Sequence, residues 1–174
     1  MAKILMIVAQ KGFRDEELLV PKEVLETEGH TVKIASMTRG KASGAKGLVI
    51  DPHMAVYEAN PEFFDAIIIV GGPGAHALAE REEVLELVRQ MNGKGRVVAA
   101  ICVGPLTLAN AGVLAGKEAT VFPDRESIRR LRDSGASYRT GPVVQDGNVI
   151  TADGPHSAGE FGRAVADALK GKGL

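Results

Sequence analysis

Three runs in this chain are too uniformly apolar to lie on a surface: Lys3–Ala9 (KILMIVA), Ala66–Val70 (AIIIV) and Arg96–Ile101 (RVVAAI). A strand with one wet face alternates apolar and polar residues. These runs do not alternate, so each needs cover on both faces. Strands covered on both faces are paired mainly in parallel, and parallel neighbours require a long crossover between them, usually a helix. The chain supplies these crossovers. Leu18–Gly29 has helical apolar spacing and stops at Gly29, with Pro21 leaving its start open. Glu82–Met91 turns Val84, Leu85, Leu87 and Val88 inward and is closed by Gly93, and a last helix is expected over Ser157–Leu169.

Smaller signals complete the order. Thr31–Ser36 reads as a strand, and the Gly-rich stretch from Gly40 to Gly47 leads to Leu48–Ile50, an excursion or small hairpin. Asn60-Pro61 reads as a helix cap with Pro at the first position. Ala119–Phe122 reads as a short strand and Arg125–Arg132 as a charged helix. Val143–Val144 and Val149–Ala152 flank Asp146-Gly147-Asn148, a strong hairpin signal. The expected fold is α/β, a mostly parallel sheet with helices on both faces, and residues 1–174 form one domain without repeat or linker.

Composition narrows the function classes. The formal net charge is −1 and aromatics make up 4% of the chain, so the clustered basic and aromatic residues of a nucleic-acid surface are lacking. The N-terminal apolar run is far too short to span a bilayer and lacks the cleavage pattern of a signal peptide. A single Cys excludes an intrachain disulfide and a Cys-based zinc site, which fits a reducing cytoplasm. Neither a metal nor a cofactor is expected. FMN has little support, because no aromatic pair is evident to stack its ring.

The chemistry concentrates at Val97–Ala111, VVAAICVGPLTLANA. An apolar strand ends at Cys102 and a helix begins within three residues, so the thiol stands out at the carboxyl end of the sheet. A helix N-terminus favours the thiolate and lowers the thiol pKa from about 8.5. Free Cys is among the most buried residue types, but a core Cys needs no Gly-Pro beside it. Gly71-Gly72, just past the strand Ala66–Val70, frees backbone N–H groups, and those of Gly72 and Val103 are candidates for an oxyanion hole. The acidic run Asp15-Glu16-Glu17 emerges at the same sheet edge.

ICVGP followed by LANAGVLAG, IVGGPGA before it, FRDEEL near the start, EGHTVKIAS, NPEFFDAIIIVGG and the closing DGNVITADGP together resemble the DJ-one/ThiJ/PfpI superfamily. The resemblance covers nearly the whole chain. It implies a flavodoxin-like three-layer sandwich, a homodimer or larger assembly, a reactive elbow Cys at Cys102, and a glutamate bonded to that thiol, which maps onto Glu17. It also implies glyoxalase-type conversion of small reactive carbonyls, deglycation, peptidase activity on a peptide partner, or redox-linked chaperoning. The chain departs from the family pattern at Val103, His76 and Phe122: Val103 and Phe122 stand where branches of the family carry a His, and His76 where the protease-like branch carries an acid. Two loop histidines, His156 and His76, remain as candidate bases. The expected function is therefore a cysteine-dependent glyoxalase or hydrolase, with a non-catalytic redox sensor based on Cys102 as the alternative and an intracellular peptidase as the second.

Overall fold

The computed structural model describes residues 1–174. In chain order its elements are β1 (Lys3–Ile7), β2 (Lys11–Phe13), α1 (Asp15–Thr27), β3 (Thr31–Ser36), β4 (Ala42–Gly44), β5 (Val49–Ile50), β6 (Met54–Ala55), β7 (Ala66–Ile69) and α2 (Ala75–Leu78). There follow α3 (Glu82–Gly93), β8 (Val97–Ile101), α4 (Pro105–Asn110), β9 (Glu118–Ala119), α5 (Arg125–Asp133), β10 (Ser137–Tyr138), β11 (Val143–Asp146), β12 (Val149–Ala152) and α6 (Ala158–Gly171).

The three uniformly apolar runs become the adjacent centre of a seven-stranded sheet ordered β11-β12-β8-β7-β1-β3-β6. Every pairing in it is parallel except the β11–β12 hairpin. Ile4–Val8, Ile67–Val70 and Val97–Ile101 are fully buried, as burial on both faces demands. Helices cover both faces, with α1 packed on α6 and α3 on α4. Truncating one of these Ile or Leu residues to Ala would cost about 2–5 kcal/mol. The five long parallel strands run in the doubly wound order β3-β1-β7-β8-β12, so the winding reverses between β1 and β7. In open α/β sheets, ligands bind outside the carboxyl ends of the strands at such a switch point.

Local differences from the sequence reading have identifiable causes. Helix α1 starts at Asp15, ahead of the expected Leu18, so the acidic run is its first turn and Pro21 lies inside it. Proline there removes the N–H that would bond the Glu17 carbonyl one turn back. Gly162 of α6 closes on this point: a Cβ at Gly162 would lie 3.0 Å from the Pro21 Cα. Asn60-Pro61 opens only one 3₁₀ turn, with Asn60 Oδ1 accepting from the Glu62 N–H at 2.9 Å. Strand pairing expected over Ala119–Phe122 is confined to β9, because the Phe122 N–H turns away to the Cys102 carbonyl at 2.8 Å. The Gly-rich excursion forms a small sheet, β2-β4-β5, beside the main one.

Candidate active site

Cys102 follows β8 directly and has φ 64°, the only positive φ outside glycine. That left-handed conformation costs a non-glycine residue about 1–3 kcal/mol and persists only where its surroundings enforce it. Here the backbone is held from two sides. The Cys102 N–H donates to the Ala152 carbonyl at 2.9 Å, and the Cys102 carbonyl accepts from Phe122. Gly104 then closes the turn by donating to the Ile101 carbonyl at 2.9 Å. No larger residue fits there, since a Cβ would lie 2.6 Å from the Ile69 carbonyl oxygen. Pro105 opens α4, where its missing N–H costs nothing.

The second half of the site comes from the segment after β1. The Arg14 N–H donates to the Gly71 carbonyl and the Gly74 N–H to the Gly12 carbonyl, both at 2.9 Å. This pair of bonds locks the entry to α1 against the glycine loop after β7. The three adjacent acids of that entry then go to three places. Asp15 accepts the N–H groups of Lys46 and Leu48 at 3.1 and 3.0 Å, anchoring the excursion. Glu16 pairs with Arg14 at 2.9 Å near the surface. Glu17 is fully buried and faces Cys102. Gly71 lies between them: a Cβ on it would come 2.5 Å from Glu17 Oε1 and 2.6 Å from the Cys102 Cβ.

Neither carboxyl oxygen of Glu17 has a hydrogen-bond partner of good geometry; its polar neighbours are the Cys102 thiol and the Gly71 N–H. Burial therefore pushes its pKa up from 4.5 to about 7, against the lowering influence of Cys102 and the Arg14 charge. The Cys102 thiol is pushed up to about 12, first by burial and then by the Glu17 charge, while the Gly72 and Val103 N–H groups facing the sulfur pull it down. This corrects the expectation of a thiol lowered by its helix. The six-residue α4 supplies too little field to outweigh desolvation. Two like charges so close are disfavoured, so above pH 7 the pair holds one negative charge and one shared proton. With the carboxyl near 7 and the thiol near 12, that charge rests on Glu17 and the thiol keeps the proton until it reacts.

A cavity of about 360 Å³ opens above the thiol and is lined by Glu17, Gly72, Cys102 and Val103. His76, on α2, also lines it, whereas His156 does not. The His156 side chain is 71% exposed, with Nε2 3.3 Å from Asp153 Oδ1, and its ring packs over Gly154. The structure therefore does not bring His156 to the sulfur. It adds two lining residues that the sequence reading did not select, Arg14 and Asp124. Arg14 stood inside the FRDEEL motif, masked by the acids that follow it. Asp124 caps α5 by accepting the Ser127 N–H at 2.7 Å, and a cap signal alone gives no hint of the cavity. Phe122 and Pro155 form an apolar wall.

No helix is long and apolar enough to cross a membrane. An uncharacterized protein of Methanocaldococcus jannaschii is 45% identical over 97% of this chain and 83% of its own length. Deglycase PfpI of Pyrococcus furiosus is 34% identical over 97% of this chain and 99% of its own. Among solved structures, a ThiJ/PfpI domain protein from Brachyspira murdochii superposes with a TM-score of 0.93 at 29% identity, covering 97% of this chain and 96% of that one. A strained elbow Cys, a buried Glu and a glycine loop converge at one sheet edge, and the family model of DJ-1/PfpI matches residues 2–168; the chain belongs to the DJ-1/PfpI family.

Proposed function

We propose that the protein is a cysteine-dependent enzyme that converts small reactive carbonyls, in particular 2-oxoaldehydes, without an added thiol cofactor. The observation that carries this reading is the unpartnered buried carboxyl of Glu17 set against Cys102, with the Gly72 and Val103 N–H groups directed at the sulfur. A cavity of about 360 Å³ lies near the lower end of small-ligand sites, about 300–1,000 Å³. That size suits a three- or four-carbon carbonyl better than a peptide chain. The deglycases among the relatives belong to the same broad chemistry of reactive carbonyls.

Each step balances on groups of this chain. The Glu17 carboxylate takes the Cys102 thiol proton as the sulfur adds to the aldehyde carbon of methylglyoxal, forming a C–S bond, and then gives that proton to the new oxyanion. Before that transfer, the Gly72 and Val103 N–H groups hold the oxyanion as it leaves the sulfur-bound carbon plane. The Glu17 carboxylate then removes the hydrogen from the sulfur-bearing carbon, and the electron pair moves toward the neighbouring ketone. Glu17 returns that proton to the former ketone carbon as the hydroxyl proton of the sulfur-bearing carbon passes to the neighbouring oxygen, leaving a lactoyl thioester. Water hydrolyses the thioester to lactate and restores the thiol. One carbon is oxidised as its neighbour is reduced, so no external oxidant or reductant is consumed.

The test is lactate formation from methylglyoxal in the absence of glutathione. Wild type should produce lactate and Cys102→Ser should not. A wild type that forms no lactate, or a Cys102→Ser variant that matches it, would overturn the reading.

A further inference from the structure

Resting on that reading of the site, we infer that Arg14 makes it selective for oxo compounds carrying an anionic group, foremost a carboxylate beside the reactive carbonyl. Arg14 lines the Cys102 cavity. Its backbone is fixed by the bond to the Gly71 carbonyl at 2.9 Å, so the side chain is anchored at the same point as the glycine loop. Only its Nε is engaged, by Glu16 Oε2 at 2.9 Å. The two terminal nitrogens have no protein partner and present the fork that carboxylates and phosphates accept. The guanidinium is close enough to Glu17 to lower its pKa, which places positive charge on the reacting side of the cavity.

Two carboxyl groups share the lining, Glu17 beside the sulfur and Asp124 at the start of α5. Asp124 spends its two oxygens on the Ser127 N–H and hydroxyl, at 2.7 and 2.9 Å. His76 offers a further donor at the same cavity. Phe122 and Pro155 add apolar surface to the lining. The lining thus offers an anionic substrate one cation, Arg14, together with apolar surface. A small 2-oxo acid or oxo acid aldehyde, with its carboxylate on Arg14 and its short carbon chain on Phe122, matches that combination.

Cys102 itself can report the selectivity. Iodoacetate and iodoacetamide alkylate a thiolate by the same displacement: the sulfur–carbon bond forms, the carbon–iodine bond breaks and iodide leaves. They differ only in the anionic group, and their rate ratio cancels the thiolate fraction. Relative to free cysteine, wild type should favour iodoacetate by about ten-fold or more, the range of a hydrogen bond to a charged group. Arg14→Gln should return the ratio to that of free cysteine, and Arg14→Lys should retain part of the preference. Pyruvate, and separately inorganic phosphate, should slow iodoacetamide alkylation of wild type and not of Arg14→Gln. Protection by pyruvate supports the carboxylate, whereas protection by phosphate alone would replace it with a phosphate ester. A wild-type ratio equal to that of free cysteine, or one unchanged in a folded Arg14→Gln variant, would overturn the inference. Alkylation requires no turnover, so this outcome is independent of whether methylglyoxal is converted to lactate.

Discussion

The buried carboxyl of Glu17 and the thiol of Cys102 meet across Gly71, at a position where a Cβ would lie within 2.6 Å of both side chains. The acid is delivered by the first turn of α1 and the thiol by the end of β8, and only a glycine between them lets the two groups face each other. Each group changes the other's proton affinity, and the pair is the chemical unit of the site.

Stability should report the buried acid. The folded-state pKa of Glu17, about 7, lies above its ordinary 4.5. The folded protein therefore keeps a proton that the unfolded chain has released, and the associated stability is present in full below about pH 4.5 and is lost as pH rises through about 7. A tenfold change in proton affinity corresponds to about 1.4 kcal/mol, so the loss is on the order of 3 kcal/mol. Thermal melts between pH 5 and 8 should show the wild type falling by more than Glu17→Gln. Parallel curves for the two proteins would place the charge elsewhere.

Gly71→Ala should disable the site with modest cost to the fold. The added methyl group meets Glu17 Oε1 and the Ile101 carbonyl at 2.5 Å, and such overpacking costs about 1–3 kcal/mol. Because the displaced groups are Glu17 and Cys102, turnover should fall by far more than the change in melting temperature suggests. Full activity in this variant would show that the pair does not need its present separation.

Asp15→Ala is the counterpart in the same acidic run. Asp15 holds the N–H groups of Lys46 and Leu48, so its loss should destabilise the protein by about 1–3 kcal/mol. Hydrogen exchange should increase at those two amides while Cys102 alkylation stays within about threefold of wild type, since surface and structural acids away from the sulfur leave its charge unchanged. Unprotected amides in the wild type would contradict this division of roles.

The fold was legible where burial leaves a pattern in the chain itself. Ile4–Val8, Ile67–Val70 and Val97–Ile101 are apolar throughout because they are covered on both faces, and Asp146-Gly147-Asn148 marks the β11–β12 hairpin by turn chemistry. The edge strands β6, β9 and β10 have two residues each, too short for a period to show. Cys102 could be read from its local strand-to-helix motif, and Glu17 only from the family resemblance of FRDEEL. Arg14 and Asp124 could not, because their proximity arises only when the loop after β1, the loop after β7 and the start of α5 meet at one sheet edge. His156 was misleading because its loop, through Pro155, reaches the cavity while its side chain turns out to Asp153.

The histidines divide accordingly. His76→Ala, at the cavity, should lower turnover by less than about ten-fold and His156→Ala by less than about threefold, whereas Glu17→Gln should lower it by about 10²–10⁴-fold, the range of a general acid–base group. Steady-state lactate production measures all three. A loss in His76→Ala as large as that in Glu17→Gln would move the proton transfer to the imidazole.

The pH dependence of Cys102 alkylation by iodoacetamide tests the Glu17–Cys102 pair most directly. A thiol that hands its proton to Glu17 as it reacts needs that carboxyl ionised, so the wild-type rate should inflect near pH 7, the value to which Glu17 is raised. In Glu17→Gln that inflection should vanish and the rate should rise only in the range of an isolated, desolvated thiol. A wild-type rate that rises only above about pH 9, as for an ordinary or buried thiol, or a Glu17→Gln profile that overlays the wild type, would contradict the shared proton.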